Sequence, residues 1–180
     1  MSQPLNLCLL TISDSRTPDD DASGDYLAQA FAADGHILFH RAICVDDKYR
    51  IRAIVSAWIA DPDVHGIICT GGTGFTGRDS TPEALLPLLD KQMDGFGELF
   101  RAISFEEIGT SSLQSRTFAG VANGILTLTV VVEAPSSVQP APPIESNVVA
   151  VGNVSVITTP VAGAPPTTGA ASRSPTPRRT

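Results

Sequence analysis

The sequence has few cysteines, few basic residues and no long apolar run. Three cysteines occur among 180 residues, Cys8, Cys44 and Cys69, and no two of them form a C-x-x-C pair. An odd number of widely separated cysteines argues against a disulfide framework and against the common zinc spacings. Each cysteine lies in an apolar, strand-like stretch, so we expect buried free thiols and a reducing, cytoplasmic environment.

The absence of long apolar segments and of basic clusters narrows the possible partners. No stretch approaches the roughly 20 apolar residues of a membrane span. The first residues show no basic stretch followed by an apolar core, so we expect neither a secretion signal nor a membrane partner. Lys and Arg number 12 against 19 Asp and Glu, a formal net charge of −7. This balance argues against nucleic acid as a partner, because phosphate backbones are bound by basic residues.

The pattern of the first 132 residues predicts an α/β fold. Apolar runs at 5–12, 37–45, 66–70 and 124–132 alternate with helical patterns at 22–34, 48–60, 80–89 and 97–108. Such alternation predicts a three-layer domain, in which a mostly parallel sheet has helices on both faces. Ser80 and Glu83 have the spacing of a capping box, which predicts that the third helix begins there.

The composition changes near the end of this pattern. Nine of the 14 prolines follow Asn123, and the charged residues beyond it are five in number, Glu133, Glu145, Arg173, Arg178 and Arg179. We therefore expect residues 1–132 to form the α/β domain. We expect residues 133–180 to be a divergent, irregular or disordered tail in which 148–158 could form an isolated strand.

A glycine-rich segment after the third predicted strand is the strongest candidate site. It reads TGGTGFTGRDSTPE over residues 70–83, and its four glycines let the backbone approach an anion closely. Open α/β sheets bind ligands at the carboxyl ends of their strands. The segment therefore predicts a phosphate site, and the alternative is a glycine-rich turn without a ligand. Gly72, Gly74 and Gly77 also match the dinucleotide pattern, but that pattern normally follows the first strand.

Two acidic residues are expected at the same edge of the sheet. Asp46 follows the second predicted strand, and Asp79 lies beside the glycine-rich segment. A carboxylate repels a phosphate unless a cation intervenes, and Mg²⁺ takes carboxylate and phosphate oxygens as ligands. The pair could hold Mg²⁺ or orient a phosphate. The alternative for each is helix N-capping.

Further polar residues follow the first strand or lie near the loop. The hydroxyls, carboxylate and guanidinium after the first strand suit either a polar ligand or an ordinary loop between a strand and a helix; they belong to Thr11, Ser13, Asp14, Ser15 and Arg16. Arg78 and Arg116 could pair with phosphate or form surface ion pairs.

Five motifs in order resemble the molybdenum cofactor biosynthesis proteins of the MoaB/MogA type. They are Thr11-Ile-Ser-Asp-Ser, Gly71-Gly-Thr-Gly, Arg78-Asp-x-Thr-Pro-Glu, Gly95-Phe-Gly-Glu and Leu113-Gln-Ser-Arg. The resemblance covers about residues 5–123, and the run from Phe105 to Ser111 is similar to the B-type branch. It implies a molybdopterin-binding fold, homo-oligomers such as trimers or hexamers, and other proteins of the same pathway as partners.

The resemblance also implies residue roles and an activity. Related adenylyltransferases transfer AMP from MgATP to molybdopterin, so the implied cofactors are Mg²⁺ and ATP. Asp46 and Asp79 would be the catalytic and metal-binding residues. The implied residues for phosphate and pterin binding are Ser13, Asp14, Ser15, Gly71, Gly72, Thr73, Gly74, Thr76, Arg78, Ser115 and Arg116.

Two other functions stay open, and the resemblance ends before the C-terminus. A non-catalytic molybdopterin carrier is the main alternative, and a nicotinamide-dependent oxidoreductase based on Gly72 to Gly77 is a weaker one. The family continues after the strand near Leu126 with a Pro-Gly turn and a closing helix, and neither occurs here. We therefore expect an uncovered apolar sheet face. We hypothesise that the chain from about Gly124 is a shifted reading frame or an unrelated segment.

Overall fold

The computed structural model describes residues 3–132, 148–151 and 154–157. The first half of the domain comprises β1 (Asn6–Ile12), α1 (Ala22–Ala33), β2 (Ile37–Cys44), α2 (Lys48–Ile59) and β3 (Gly66–Thr70). The second half comprises α3 (Thr81–Leu85), β4 (Lys91–Gln92), α4 (Asp94–Ile108), β5 (Ala119–Ala122) and β6 (Ile125–Val130). Short 3-10 helices follow α3 at Leu86–Leu88 and α4 at Gly109–Gln114.

Within the described residues, the main sheet has six strands in the order β2-β1-β3-β6-β5-β4. Strands β2, β1, β3 and β6 are parallel, whereas β5 runs antiparallel to β6 and β4 antiparallel to β5. The prediction of a mostly parallel sheet is therefore confirmed. Because parallel strands end at the same edge, the segments that follow β1, β2, β3 and β6 meet there.

Helices cover both faces of this sheet, as the three-layer prediction requires. Successive side chains of a strand point to opposite faces. Cys8 and Leu10 of β1 accordingly pack with the core under α2 and α3, and Leu7 and Leu9 pack with α1 on the opposite face. Helix α4 contributes Phe96 and Phe100 to a third cluster with Ala119 of β5.

The three cysteines are free and buried, as predicted. All of them belong to the core between the sheet and α2. Burial raises the pKa of Cys8 to about 11 and that of Cys69 to about 12, since a thiolate is poorly solvated there.

The hairpin of β5 and β6 and the short strand β4 were not predicted. Asn123 and Gly124 form the two-residue turn between β5 and β6, and both have positive φ, 50° and 79°. Asn-Gly is the preferred pair for such a turn, so this dipeptide was the available signal. Strand β4 has only two residues, too few for a periodic pattern.

The third helix is shorter than predicted. The pattern indicated a helix over 80–89, but α3 ends at Leu85 and continues as a 3-10 turn that contains Pro87. Proline lacks the N–H that an α-helix needs at this position, which explains the early end. No side-chain hydrogen bond caps α3, so the predicted capping box is wrong.

The C-terminal prediction is only partly covered by the described residues. Within 148–158, β7 (Val148–Val151) and β8 (Val154–Ile157) pair antiparallel, so the expected isolated strand is instead two short strands. The rest of the predicted disordered tail lies outside the described residues. The expected uncovered apolar face can be examined only in the described residues. There, Leu126 of β6 and the neighbouring Met93 and Leu99 are 40–49% exposed.

We examined the helices of the described residues for membrane-spanning character. None of these helices in the described part of the chain has the length and apolar character that crossing a membrane requires.

Candidate functional site

The glycine-rich loop between β3 and α3 packs tightly against its neighbours. Gly71 and Gly72 have φ values of 102° and 63°, which favour glycine. A Cβ on Gly71 would lie 2.1 Å from the carbonyl oxygen of Ile12. A Cβ on Gly72 would lie 2.3 Å from Thr81 Oγ1 and 2.4 Å from Asp46 Oδ2. Glycine is therefore required at both positions by conformation and by space.

Asp46 connects the end of β2 to the beginning of α3. Its Oδ1 accepts hydrogen bonds from the amide of Ser80 at 3.0 Å and from the Ser80 hydroxyl at 2.6 Å. The N-cap of α2 is the next residue, Asp47, which accepts the amides of Tyr49 and Arg50. The N-capping interpretation is therefore wrong for Asp46. The Ser80 hydroxyl is directed to Asp46, which is why it does not cap α3.

Asp79 stabilises the loop from within. Its Oδ2 accepts hydrogen bonds from both the amide and the hydroxyl of Thr76. The Thr76 hydroxyl is the main reason that the pKa of Asp79 is lowered, so this carboxylate is ionised at neutral pH. Asp79 does not cap α3 either. Because Asp46 binds Ser80, the residue next to Asp79, the structure brings the two acids to the same edge of the sheet.

The loop after β1 joins this network. The Ser13 hydroxyl oxygen accepts the amides of Ser15 and Arg16. Asp14 accepts the amide of Asp46 at 3.2 Å and forms an ion pair with Arg78. The hydrogen bond from Arg78 lowers the pKa of Asp14. Arg78 thus forms the ion pair that was the alternative to phosphate binding, although its side chain is 72% exposed.

A polar cavity of about 290 Å³ lies between the loops after β1 and β3. We call it the loop cavity. Of the predicted site residues, it is lined by Ser13, Gly71, Gly72, Thr73, Gly74 and Asp79. Thr11 and Arg16, which the sequence grouped with Ser13, line it as well. Asp21 and Ser23 also line it and were not predicted as site residues.

Asp21 is a buried carboxylate with a structural role in the loop cavity. It is 1% exposed, is the N-cap of α1, and accepts hydrogen bonds from Thr11, Gly24 and Arg41. Burial raises its pKa, but the hydrogen bonds, led by that of Arg41, outweigh burial and lower the pKa overall. Through these hydrogen bonds the Asp21 carboxylate connects the beginning of α1 to Thr11 of β1 and Arg41 of β2.

A second cavity of about 240 Å³ adjoins the first between the glycine-rich loop and the C-terminal end of α4. We call it the serine cavity, because four serines line it, Ser104, Ser111, Ser112 and Ser115. Ser115 was a predicted site residue. Glu107, Gln114 and the apolar side chains of Phe100 and Ile108 complete much of the wall. Thr73, Gly74 and Val131 line both cavities.

The remaining predicted residues lie around the cavities without lining the loop or serine cavity. Ser15 is exposed in the loop after β1, and Thr76 is bonded to Asp79. Arg116 donates to the carbonyl oxygens of Gly74 and Asp79 and pairs with Glu83. The guanidinium of Arg116 therefore bonds to other residues of the protein. The carboxylate of Glu83 is bonded to Arg116 and does not form the predicted capping box.

The described residues offer at most two carboxylates for a metal ion. No group of three or more His, Cys, Asp or Glu side chains converges within the part of the chain that the structure describes. Mg²⁺ commonly binds one or two carboxylates together with substrate phosphates and waters. Asp46, Asp79 and a phosphate in the loop cavity would make a ligand set of this type.

The fold and the site define a class of protein: an α/β domain with a glycine-rich loop beside a polar cavity at the carboxyl edge of a mostly parallel sheet. Residues 8–162 match the protein family described as "Probable molybdopterin binding domain". The chain belongs to this molybdopterin-binding family of molybdenum cofactor biosynthesis proteins, the MoaB/MogA family. The matched residues extend beyond the change in composition near Asn123.

Individual relatives agree with this assignment. The chain is 54% identical over 123 residues to molybdenum cofactor biosynthesis protein B of Escherichia coli K12, covering 68% of this chain and 72% of that protein. A crystal structure of a molybdenum cofactor biosynthesis protein B has a TM-score of 0.71 and 38% identity, with 73% and 83% of the two chains covered. The tungsten cofactor synthesizing protein MoaB of Pyrococcus furiosus has a TM-score of 0.61 and 29% identity, with 73% and 84% covered.

Proposed function

We propose that this chain binds molybdopterin across the loop cavity and the serine cavity. The single observation that supports this most is that the two cavities share Thr73 and Gly74. A ligand with an anionic end and a flat, hydrogen-bonding ring can place the anion on the glycine-rich loop and the ring among the serines. Backbone N–H groups and hydroxyls suit a phosphate. Serine hydroxyls and the Glu107 carboxylate suit the polar edge of a pterin.

The finer proposal is transfer of AMP from MgATP to the bound molybdopterin. Asp46 and Asp79 would hold Mg²⁺, which supplies charge neutralisation for the phosphates when bound. Asp46 fits this role because both Ser80 hydrogen bonds go to Oδ1, and Oδ2 faces Gly72. The chain itself would contribute mainly orientation, because the glycine-rich loop would fix the pterin phosphate.

A second candidate is a molybdopterin-binding protein without catalysis. The observation that favours it is that Asp46 and Asp79 are both bonded to the loop, to Ser80 and Thr76. Both acids could therefore be present only to shape the binding site.

An AMP-transfer assay with molybdopterin and MgATP separates the two candidates. The enzyme proposal expects AMP-molybdopterin to form with the unaltered chain and to be lost in Asp79→Asn, even when this variant is saturated with molybdopterin. Asp63→Asn is the matched control, because Asp63 precedes β3 and lies at the opposite end of the sheet. Binding without any AMP transfer by the unaltered chain would leave the carrier function, and absence of binding would contradict both.

Assembly as a trimer or hexamer, and contact with other proteins of molybdenum cofactor biosynthesis, are part of the same proposal. Light scattering of the full chain tests the assembly. A monomer at all concentrations would contradict it.

A further inference from the structure

Arg116 contacts the glycine-rich loop at several separate points. Its backbone amide donates to the carbonyl oxygen of Thr73 at 3.0 Å. Its Nε donates to the carbonyl oxygen of Gly74 at 2.7 Å, and one terminal nitrogen donates to that of Asp79 at 2.9 Å. The other terminal nitrogen pairs with the carboxylate of Glu83 in α3. One side chain thus joins both ends of the 74–79 segment and the helix that follows it.

The chemistry of the guanidinium group makes this arrangement specific to arginine. Its donors are fixed in one plane, so several carbonyl oxygens can be held at once in a defined geometry. A lysine has the same charge but a single nitrogen on a flexible stem, and it cannot reproduce the separate bonds. The side chain of Arg116 is 24% exposed, so these bonds are partly shielded from water.

The same guanidinium lies close to Phe75, the single aromatic residue of the glycine-rich loop. Its central carbon is 5.6 Å from the ring centroid of Phe75, within the range of a cation–π contact. Phe75 is 69% exposed, which leaves it few other contacts. Arg116 therefore restrains the outer part of the loop as well as its two ends.

We propose that Arg116 is a positioning residue that fixes the glycine-rich loop in its ligand-binding conformation and does not itself contact the ligand. Each of its three guanidinium nitrogens is hydrogen-bonded to the protein, and Arg116 lines neither the loop cavity nor the serine cavity. The consequence for ligand binding rests on the proposed function, whereas the effect on the loop does not.

The test combines amide hydrogen exchange of the ligand-free chain with molybdopterin binding, measured on Arg116→Lys. The relevant amides are those of Thr76, Asp79 and Thr81. The Thr76 amide donates to the Asp79 carboxylate, and the amides of Asp79 and Thr81 donate to the carbonyl oxygens of Thr76 and Gly72. We expect their exchange to accelerate about tenfold or more, because charge-assisted bonds to the loop are lost. Molybdopterin affinity should fall by a similar factor although the positive charge is kept.

Arg52→Lys is the matched control. Arg52 also donates to backbone carbonyl oxygens, those of Glu83 and Ala84 in α3, but it does not reach the loop. Its replacement should leave exchange of the three loop amides and molybdopterin binding unchanged. Glu83→Gln provides a milder variant, which keeps the carbonyl bonds of Arg116 and should accelerate exchange about threefold.

The outcomes separate this proposal from the proposed function. Unchanged loop exchange in Arg116→Lys, with molybdopterin binding lost, would show that Arg116 contacts the ligand and would overturn the proposal. Equal acceleration in the amides of β1 and β3 would mean general destabilisation and would also overturn it. Faster exchange confined to the loop supports it, even if the unaltered chain binds no molybdopterin and the proposed function fails.

Discussion

The carboxylate of Asp46 holds Ser80 through two hydrogen bonds, from the amide at 3.0 Å and from the hydroxyl at 2.6 Å. Asp46 follows β2, and Ser80 ends the glycine-rich loop after β3. Strand β1 lies between β2 and β3 in the sheet, so this contact crosses one strand to join two loops. The position of the glycine-rich loop therefore depends on a residue that lies far from it in the sequence.

Replacing Asp46 should destabilise the fold as well as the site. We expect Asp46→Ala to lower the free energy of unfolding by about 1–3 kcal/mol, because two partly buried donors of Ser80 lose a charged acceptor. Urea unfolding of Asp46→Ala, Ser80→Ala and the double variant measures the coupling, which should be about 0.5–3 kcal/mol. Because Ser80→Ala keeps the amide, strictly additive effects would show that the bond between the Asp46 carboxylate and the Ser80 hydroxyl contributes nothing.

Gly72 should tolerate no side chain, in contrast to Gly77. In Gly72→Ala the new methyl group would lie 2.3 Å from Thr81 Oγ1 and 2.4 Å from Asp46 Oδ2, on a backbone with φ of 63°. We expect the loop to shift and molybdopterin affinity to fall at least about tenfold. Gly77→Ala is the control, since no atom lies within 4 Å of the added Cβ. Equal molybdopterin binding by the two variants would contradict the proposed role of the Gly72 backbone in holding the ligand.

The sequence patterns predicted the parallel part of the sheet well, because each of those strands has five to eight residues, most of them apolar. Strand β3 has the predicted bounds, Gly66–Thr70, and the helix patterns at 22–34 and 48–60 match α1 and α2 closely. Strand β4 was missed because two residues have no periodicity, and β5 because its residues Ala-Gly-Val-Ala are small. Gly120 is required there by packing, since a Cβ would lie 2.5 Å from the carbonyl oxygen of Lys91.

The candidate site was predicted as a set of residues but not as a network. The spacing of Ser80 and Glu83 predicted that they bond to each other in a capping box. In the structure Ser80 bonds to Asp46, 34 residues away, and Glu83 pairs with Arg116, 33 residues away. Such pairings depend on the strand order, which no local pattern contains. Of the residues that line the serine cavity, only Thr73, Gly74 and Ser115 were predicted. The run Ser111-Ser112-x-x-Ser115 was a visible signal, but its position beside the loop required the structure.

The loop should weaken in acid through Asp79. The folded chain lowers the pKa of Asp79 below its ordinary value of 3.8, so the ionised form stabilises the loop. This contribution is complete above the ordinary pKa and is lost as the pH falls through the lowered value. We expect exchange protection of the Thr76 amide to fall in acid for the unaltered chain. In Asp79→Asn the protection should be low already at about pH 7 and change little on acidification to about pH 3. Equal acid sensitivity in the two proteins would exclude Asp79 as the cause.

The three cysteines should resist thiol reagents until the chain unfolds. The thiolate is the reactive species, and burial raises the pKa of Cys8 to about 11, of Cys69 to about 12, and that of Cys44 as well. All three side chains are buried in the core beside α2. Maleimide labelling followed by mass spectrometry should therefore show no modification of the folded chain at about pH 7 and three modifications in denaturant.

The rate of cysteine labelling in two site variants tests whether each one destabilises the core or only the loop. In Asp46→Ala the core opens more often, so labelling of Cys44, two residues before Asp46, should accelerate by the same factor as global unfolding. Arg116→Lys should leave the labelling rate nearly unchanged, because the bonds that it loses lie in the loop and not in the core. Rapid labelling of Cys44 in the unaltered, folded chain would show that the end of β2 is not packed as the structure has it, and the position of Asp46 would then need to be revised.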